Sequence, residues 1–159
     1  MNIQHLFLLL ASASLLLSAC NGASQPEETT QDEPPAALEE QRWDEMMAIH
    51  DEVMPEMSTL NRIGRQLRTY AEESQDLTAA ESERIEAAVQ ALETAEEGMW
   101  SWMNELQQLE RLRREKDHAA IMDYLDGERE RISRVRDEMQ AAIEQGQALT
   151  RELGIGEDE

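Results

Sequence analysis

"IMDYLDGERERISRVRDEMQAAIEQGQALTREL", residues 121–153, decides the fold. Steps of four and three along it meet Ile121, Leu125, Glu128, Ile132, Val135, Met139, Ala142, Gly146, Leu149 and Leu153. A repeat alternating between three and four puts all ten on one side of a helix, the seam of a coiled-coil-like bundle. Acids, Arg and Gln fill the rest. A helix this long, apolar along one stripe, needs other helices to cover that stripe.

Two earlier segments supply them. One carries Trp43, Met46, His50, Val53, Met57, Leu60, Gly64, Leu67 and Ala71; the other carries Ile85, Val89, Leu92, Ala95, Met99, Met103, Leu106 and Leu109. Beyond residue 38 the chain is dominated by Ala, Leu, Glu, Gln, Arg and Met, all helix formers. "ESQDLT" (73–78) separates the first two helices, and Thr78 with Glu81 forms a capping box. "REKD" (114–117) separates the second and third, with Asp117 as N-cap, and Gly154 and Gly156 end the third. Short connections make neighbouring helices antiparallel. The expected fold is all-α: an antiparallel three-helix, coiled-coil-like bundle of helices ~50 Å long. A four-helix count is the alternative, should Pro55 split the first helix completely.

The N-terminus sets the address. Residues 6–17, "LFLLLASASLLL", are an apolar run of about 12 residues, below the ~20 that a spanning helix needs. A short apolar run closing on small residues is a secretory signal. "LSAC", ending at Cys20, resembles the lipobox of bacterial lipoproteins. That resemblance implies removal of residues 1–19, a diacylglyceryl group on the Cys20 thiol, and palmitate among the acyl chains. The n-region departs from the usual pattern: it has no Lys or Arg, and only His5 could carry charge. A plain secretory peptide with a chance cysteine is the alternative. Cys20 is the single cysteine, so the chain forms no internal disulfide. Asn21 rather than Asp after it points, by resemblance to lipoprotein sorting rules, to the outer membrane. Residues 20–38, rich in Pro, acids and small polar residues, read as a lipid-anchored disordered tether. Residues 39–153 are then the bundle domain and 154–159 an acidic tail.

Charge excludes some partners. Asp and Glu total 35, Lys and Arg 14, and the net is −21. Such a surface repels nucleic acid and anionic head groups. Arg129, Arg131, Arg134 and Arg136 lie among Glu128, Glu130, Asp137 and Glu138 and read as ion pairs on an exposed face. His118, in the first turn of the third helix, reads as solvated. With Lys116 the only lysine, this acidic composition fits a milieu of high ionic strength.

The candidate site is "HDEVMPEM", residues 50–57. Pro55 lacks an N–H and its ring crowds the carbonyl of Asp51, so it kinks the helix. Counting from the turns places His50 near Met99 and Met103, with Glu128 at nearly the same level and Gly98 across from the kink. One reading is structural: methionines fill an irregular layer, His50 and Glu128 pair to set helix register, and Gly98 lets the kinked backbone approach. The other is a metal site, in which His50 and the thioethers of Met46, Met54, Met99 and Met103 suit Cu(I). In "MWSWM" (99–103), Trp102 flanks the seam, half buried, and Trp100 points outward. There is no nucleophile–base pair and no phosphate-cradling loop, so the expectation is a protein that is not an enzyme and has no required cofactor.

"MMAIHDEVMPEM" (46–57), the later "MWSWM" and "YLDGERERISRV" (124–135) resemble a group of small bacterial lipoproteins. These share an HDEVMP-type motif and a later M-x-x-WM element, and often carry the label "viral A-type inclusion protein". The resemblance implies a helical fold and a cell-envelope address, and no chemistry. The expected role is that of a non-enzymatic envelope lipoprotein, structural or binding an unidentified envelope protein; a Cu(I)-binding protein is the alternative. Expected contacts are the membrane, through lipid on Cys20, and that partner. Homo-oligomers are open too, since long seams can close between copies.

Overall fold

A computed structural model describes residues 34–156. They form five α-helices and no strand: α1 (Pro35–Val53), α2 (Met57–Glu73), α3 (Ala79–Glu105), α4 (Leu109–Glu115) and α5 (His118–Glu152). A single 3-10 turn, Met54–Glu56, joins α1 to α2. The backbone stays right-handed helical through it, from Val53 to Met57, so Pro55 interrupts a rod without splitting it. The three-helix expectation therefore holds, with α1–α2 as the first rod.

Cross-links fix the topology. Arg68 pairs with Glu93, and Asn61 donates to Glu96 at 3.0 Å, so α2 and α3 run antiparallel. Arg84 with Glu152 and Arg131 with Glu105 make α3 and α5 antiparallel. Arg42 with Asp126 at 3.0 Å and Glu45 with Arg129 at 3.9 Å make α1 parallel to α5. α5 packs along both halves of the first rod and along α3.

Local chemistry explains the boundaries. Pro35 occupies the first helical position, where a missing N–H costs nothing, so α1 starts within the stretch expected to be tether. The Thr78 hydroxyl accepts from the Glu81 N–H at 3.2 Å while the Glu81 carboxylate accepts from the Thr78 N–H at 2.9 Å, completing the capping box. Asp117 accepts from the Ala120 N–H at 2.9 Å and caps α5. At its other end the Ile155 N–H reaches the Thr150 carbonyl at 2.9 Å and the Gly154 N–H reaches Arg151 at 3.2 Å. That pair of bonds is a Schellman closure, and Gly154 at φ 68° supplies its left-handed residue.

The second rod differs from expectation. The heptad reading ran through Leu106 and Leu109, but α3 stops at Glu105 and α4 restarts at Leu109. Nothing at residues 106–108 breaks a helix by propensity. The freed Gln107 N–H instead donates to the Tyr124 hydroxyl at 2.8 Å. The offset lets Leu109 and Leu112 pack with Ile121 and Leu125 in a small second core, beside Trp43.

The main core runs from Met46 through Leu60, Ile63, Leu92, Met99, Trp102 and Ile132 to Leu149. Its tightest point is Gly146: a Cβ there would sit 2.7 Å from Ile63 Cγ2 and 3.4 Å from Leu92 Cδ1. Gly98, expected to face the kink, instead lies by α5; a Cβ there would meet Glu138 and Val135 at 3.9 Å, ordinary contact. The two glycines should respond oppositely to alanine. Gly98→Ala gains helix propensity and should stabilise by ~1 kcal/mol. Gly146→Ala gains the same propensity but forces a rigid β-branched neighbour aside, and overpacking of this kind costs ~1–3 kcal/mol. Urea unfolding should show net destabilisation for Gly146→Ala, relieved by Ile63→Leu, which removes the Cγ2 methyl. Stabilisation by both alanines would contradict this packing.

Candidate functional site

His50 lies on the last turn of α1, just before the 3-10 turn. Its side chain is 15% exposed, and its Nδ1 is 2.9 Å from Asp51 Oδ1. Its ring stacks on Trp102 of α3, with centroids 5.6 Å apart and planes 30° from parallel. Trp102 is fully buried rather than half buried, with no partner for its indole N–H. Trp100, two residues earlier, points outward and is 49% exposed. The helical period accounts for both: Trp102 follows Met99 and Ala95 on the buried face of α3, and Trp100 does not.

The candidate methionines pack in the main core, to which Trp102 also belongs. Met46 and Met99 are inaccessible to solvent, and Met54 and Met103 are partly buried against the same core cluster. The four candidate methionines thus share the main core, and His50 reaches it through Trp102. The histidine and two of the thioethers keep some solvent access. Among the described residues no three His, Cys, Asp or Glu side chains are grouped to hold a metal ion. That excludes a carboxylate or zinc-type cluster there; a thioether–imidazole set is a different, softer kind of site.

Glu128 does not join this layer through His50. It is buried, and Arg131 donates to its two oxygens at 2.9 and 3.1 Å. The reason is register. The Arg42–Asp126 and Glu45–Arg129 pairs set α1 against α5 so that Glu128 lies level with Asp44, nearly two helical turns before His50. Residues flanking the His50 level come instead from Ser133 and Arg134, which share a groove with Ile49. The expected His50–Glu128 pair is replaced by two local ones, His50 with Asp51 and Glu128 with Arg131.

A second polar centre lies at the start of the bundle. Glu39 of α1 is 5% exposed. Arg113 of α4 donates Nε–H to it at 2.8 Å, and His118 Nδ1 of α5 lies 2.9 Å from its other oxygen. Arg113 also reaches the Ala36 carbonyl, Glu40 and Glu110. Burial raises the Glu39 pKa, but hydrogen bonds from Arg113 and His118 outweigh it and hold the carboxyl below its usual 4.5. His118, read as solvated, is in fact a clasp residue. The pairing spans residues more than 70 apart, and no local pattern signals it.

Cys20, the signal segment, residues 20–33 of the tether and residues 157–159 of the acidic tail lie outside the described residues. No helix among the described residues is long and apolar enough to cross a membrane. The sequence matches no protein-family model, and neither a curated protein nor a solved structure is significantly similar to it.

Proposed function

We propose that the chain is a non-enzymatic lipoprotein of the cell envelope. Lipid on Cys20 anchors it, the segment after Cys20 carries the bundle away from the surface, and the bundle serves as a structural element or binds another envelope component. The observation that supports this most is how the third seam is used. Ile121, Leu125, Glu128, Ile132, Val135, Met139, Ala142, Gly146 and Leu149 are all buried within one chain. The bundle thus needs no second copy to cover its longest helix. Its buried carboxylates, Glu39 and Glu128, are each neutralised by an arginine. Buried charges paired in this way set helix positions.

Trp100, the one large exposed hydrophobic residue among those described, is where a partner would gain most apolar contact. The LSAC sequence supports the anchor, and the outer membrane is the favoured side on the strength of Asn21. Metabolic labelling with palmitate tests the reading. The full chain should take up label and sediment with membranes, and Cys20→Ser should lose both. Label or sedimentation retained by Cys20→Ser would remove the basis for the anchor.

A further inference from the structure

We propose that the His50–Trp102 contact is the floor of a binding site for one soft monovalent cation, Cu(I). Nδ1 of His50 faces the Asp51 carboxylate at 2.9 Å and is therefore the protonated nitrogen. Nε2 then carries the free lone pair. This is the arrangement of a metal-ligating histidine, whose second nitrogen donates to a carboxylate that fixes the tautomer and raises basicity. Among the described residues His50 makes no other side-chain hydrogen bond.

The surroundings decide which metal. Six of the chain's nine methionines lie within seven residues of His50 or three of Trp102 in sequence, and all six belong to the main core cluster. Of these, Met46 and Met54 flank His50 at four residues on either side, one helical turn each way. Met99 and Met103 flank Trp102. Thioethers with one imidazole select a soft d10 ion over Zn(II) or Mg(II), which prefer thiolate, imidazole or oxygen. The indole face of Trp102 adds attraction for a cation held beside it in a site away from water. Asp51 is 74% exposed and holds Nδ1 from the solvent side, leaving Nε2 for the metal. Met54, Met103 and His50 are partly exposed, which provides an entry path.

The site lies wholly within the bundle, so it stands or falls apart from the lipid anchor. It is tested by anaerobic competition for Cu(I) against bicinchoninate. The protein is the full chain in detergent carrying Cys20→Ser, which removes the one thiol. One equivalent of Cu(I) should be withdrawn from the chelator. His50→Gln should weaken binding by more than the ~10–100-fold that losing an outer partner costs, and Asp51→Asn by about that amount. Met103→Leu conserves volume and should weaken binding as a lost ligand does. Met122→Leu changes a thioether on α5 outside both core clusters and should leave the affinity unchanged. Far-ultraviolet circular dichroism establishes that each variant is folded. No withdrawal of Cu(I), or equal affinity in His50→Gln, Met103→Leu and Met122→Leu, would overturn the proposal.

Discussion

Trp102→Ala is expected to cost about 4 kcal/mol, the largest effect of any single side chain in the bundle. Trp102 is the bulkiest fully buried residue and packs in the main core with Met46 and Met99, where α3 nears its end. Truncation removes the transfer energy of an indole and leaves a cavity that kinked, methionine-lined walls fill only in part. For a domain of this size the loss corresponds to a fall in Tm of roughly 12–16 °C. Trp102→Phe separates the ring from its N–H. The N–H is buried without a partner, which is itself unfavourable, and phenylalanine keeps a ring against His50. Its cost should stay below about 2 kcal/mol. Differential scanning calorimetry checks both. Equal costs for Ala and Phe would mean that packing of the ring is not what holds the layer.

Arg113→Ala is the second large effect, expected at about 3 kcal/mol. The substitution removes the charge that neutralises Glu39 and leaves a buried carboxylate with His118 alone. It also frees the Ala36 carbonyl at the start of α1. Adding Glu39→Gln should restore part of the loss, because the uncompensated charge is then gone. Acidity provides an independent check. The Glu39 carboxyl binds its proton less readily folded than unfolded, so its contribution is complete above pH 4.5 and fades as the pH falls through the depressed folded value. The wild-type chain should therefore lose more stability than Arg113→Ala between pH 7 and pH 3, as read by urea midpoints. Parallel losses would show that the clasp contributes nothing in solution.

What the sequence reveals about this fold follows from how far each signal reaches. The α5 seam, the Thr78–Glu81 box, the Asp117 cap and the Gly154 closure are written within a few residues of one another, and each lies where expected. Pro55 likewise announces its own interruption. Facing residues are another matter. Counting from a turn locates a partner only to within several residues, and a helix changes face every two. That margin brought His50 to α3 correctly but set Glu128 nearly two turns too close. It also set Gly98 against the kink, whereas Gly98 lies by α5 and the tightly packed glycine is Gly146, against Ile63 and Leu92. The end of α3 was illegible because a tyrosine hydroxyl seventeen residues away decides it. The Glu39 clasp joins three helices and has no local signature at all.

The candidate site was legible in outline for the same reason. His50, Met46 and Met54 share a helix face by spacing, and the count from the first turn brings α3 to them. The sequence did not show that Trp102 is the side chain that meets His50, or that Asp51, its immediate neighbour, takes the other ring nitrogen.

Intact mass spectrometry of the protein extracted from membranes bears most directly on the lipoprotein reading. The expected mass is that of a chain beginning at Cys20 with a diacylglyceryl group on its sulfur, recovered with the outer membrane. A chain that retains residues 1–19, or one cut elsewhere with a free thiol at Cys20, would contradict it.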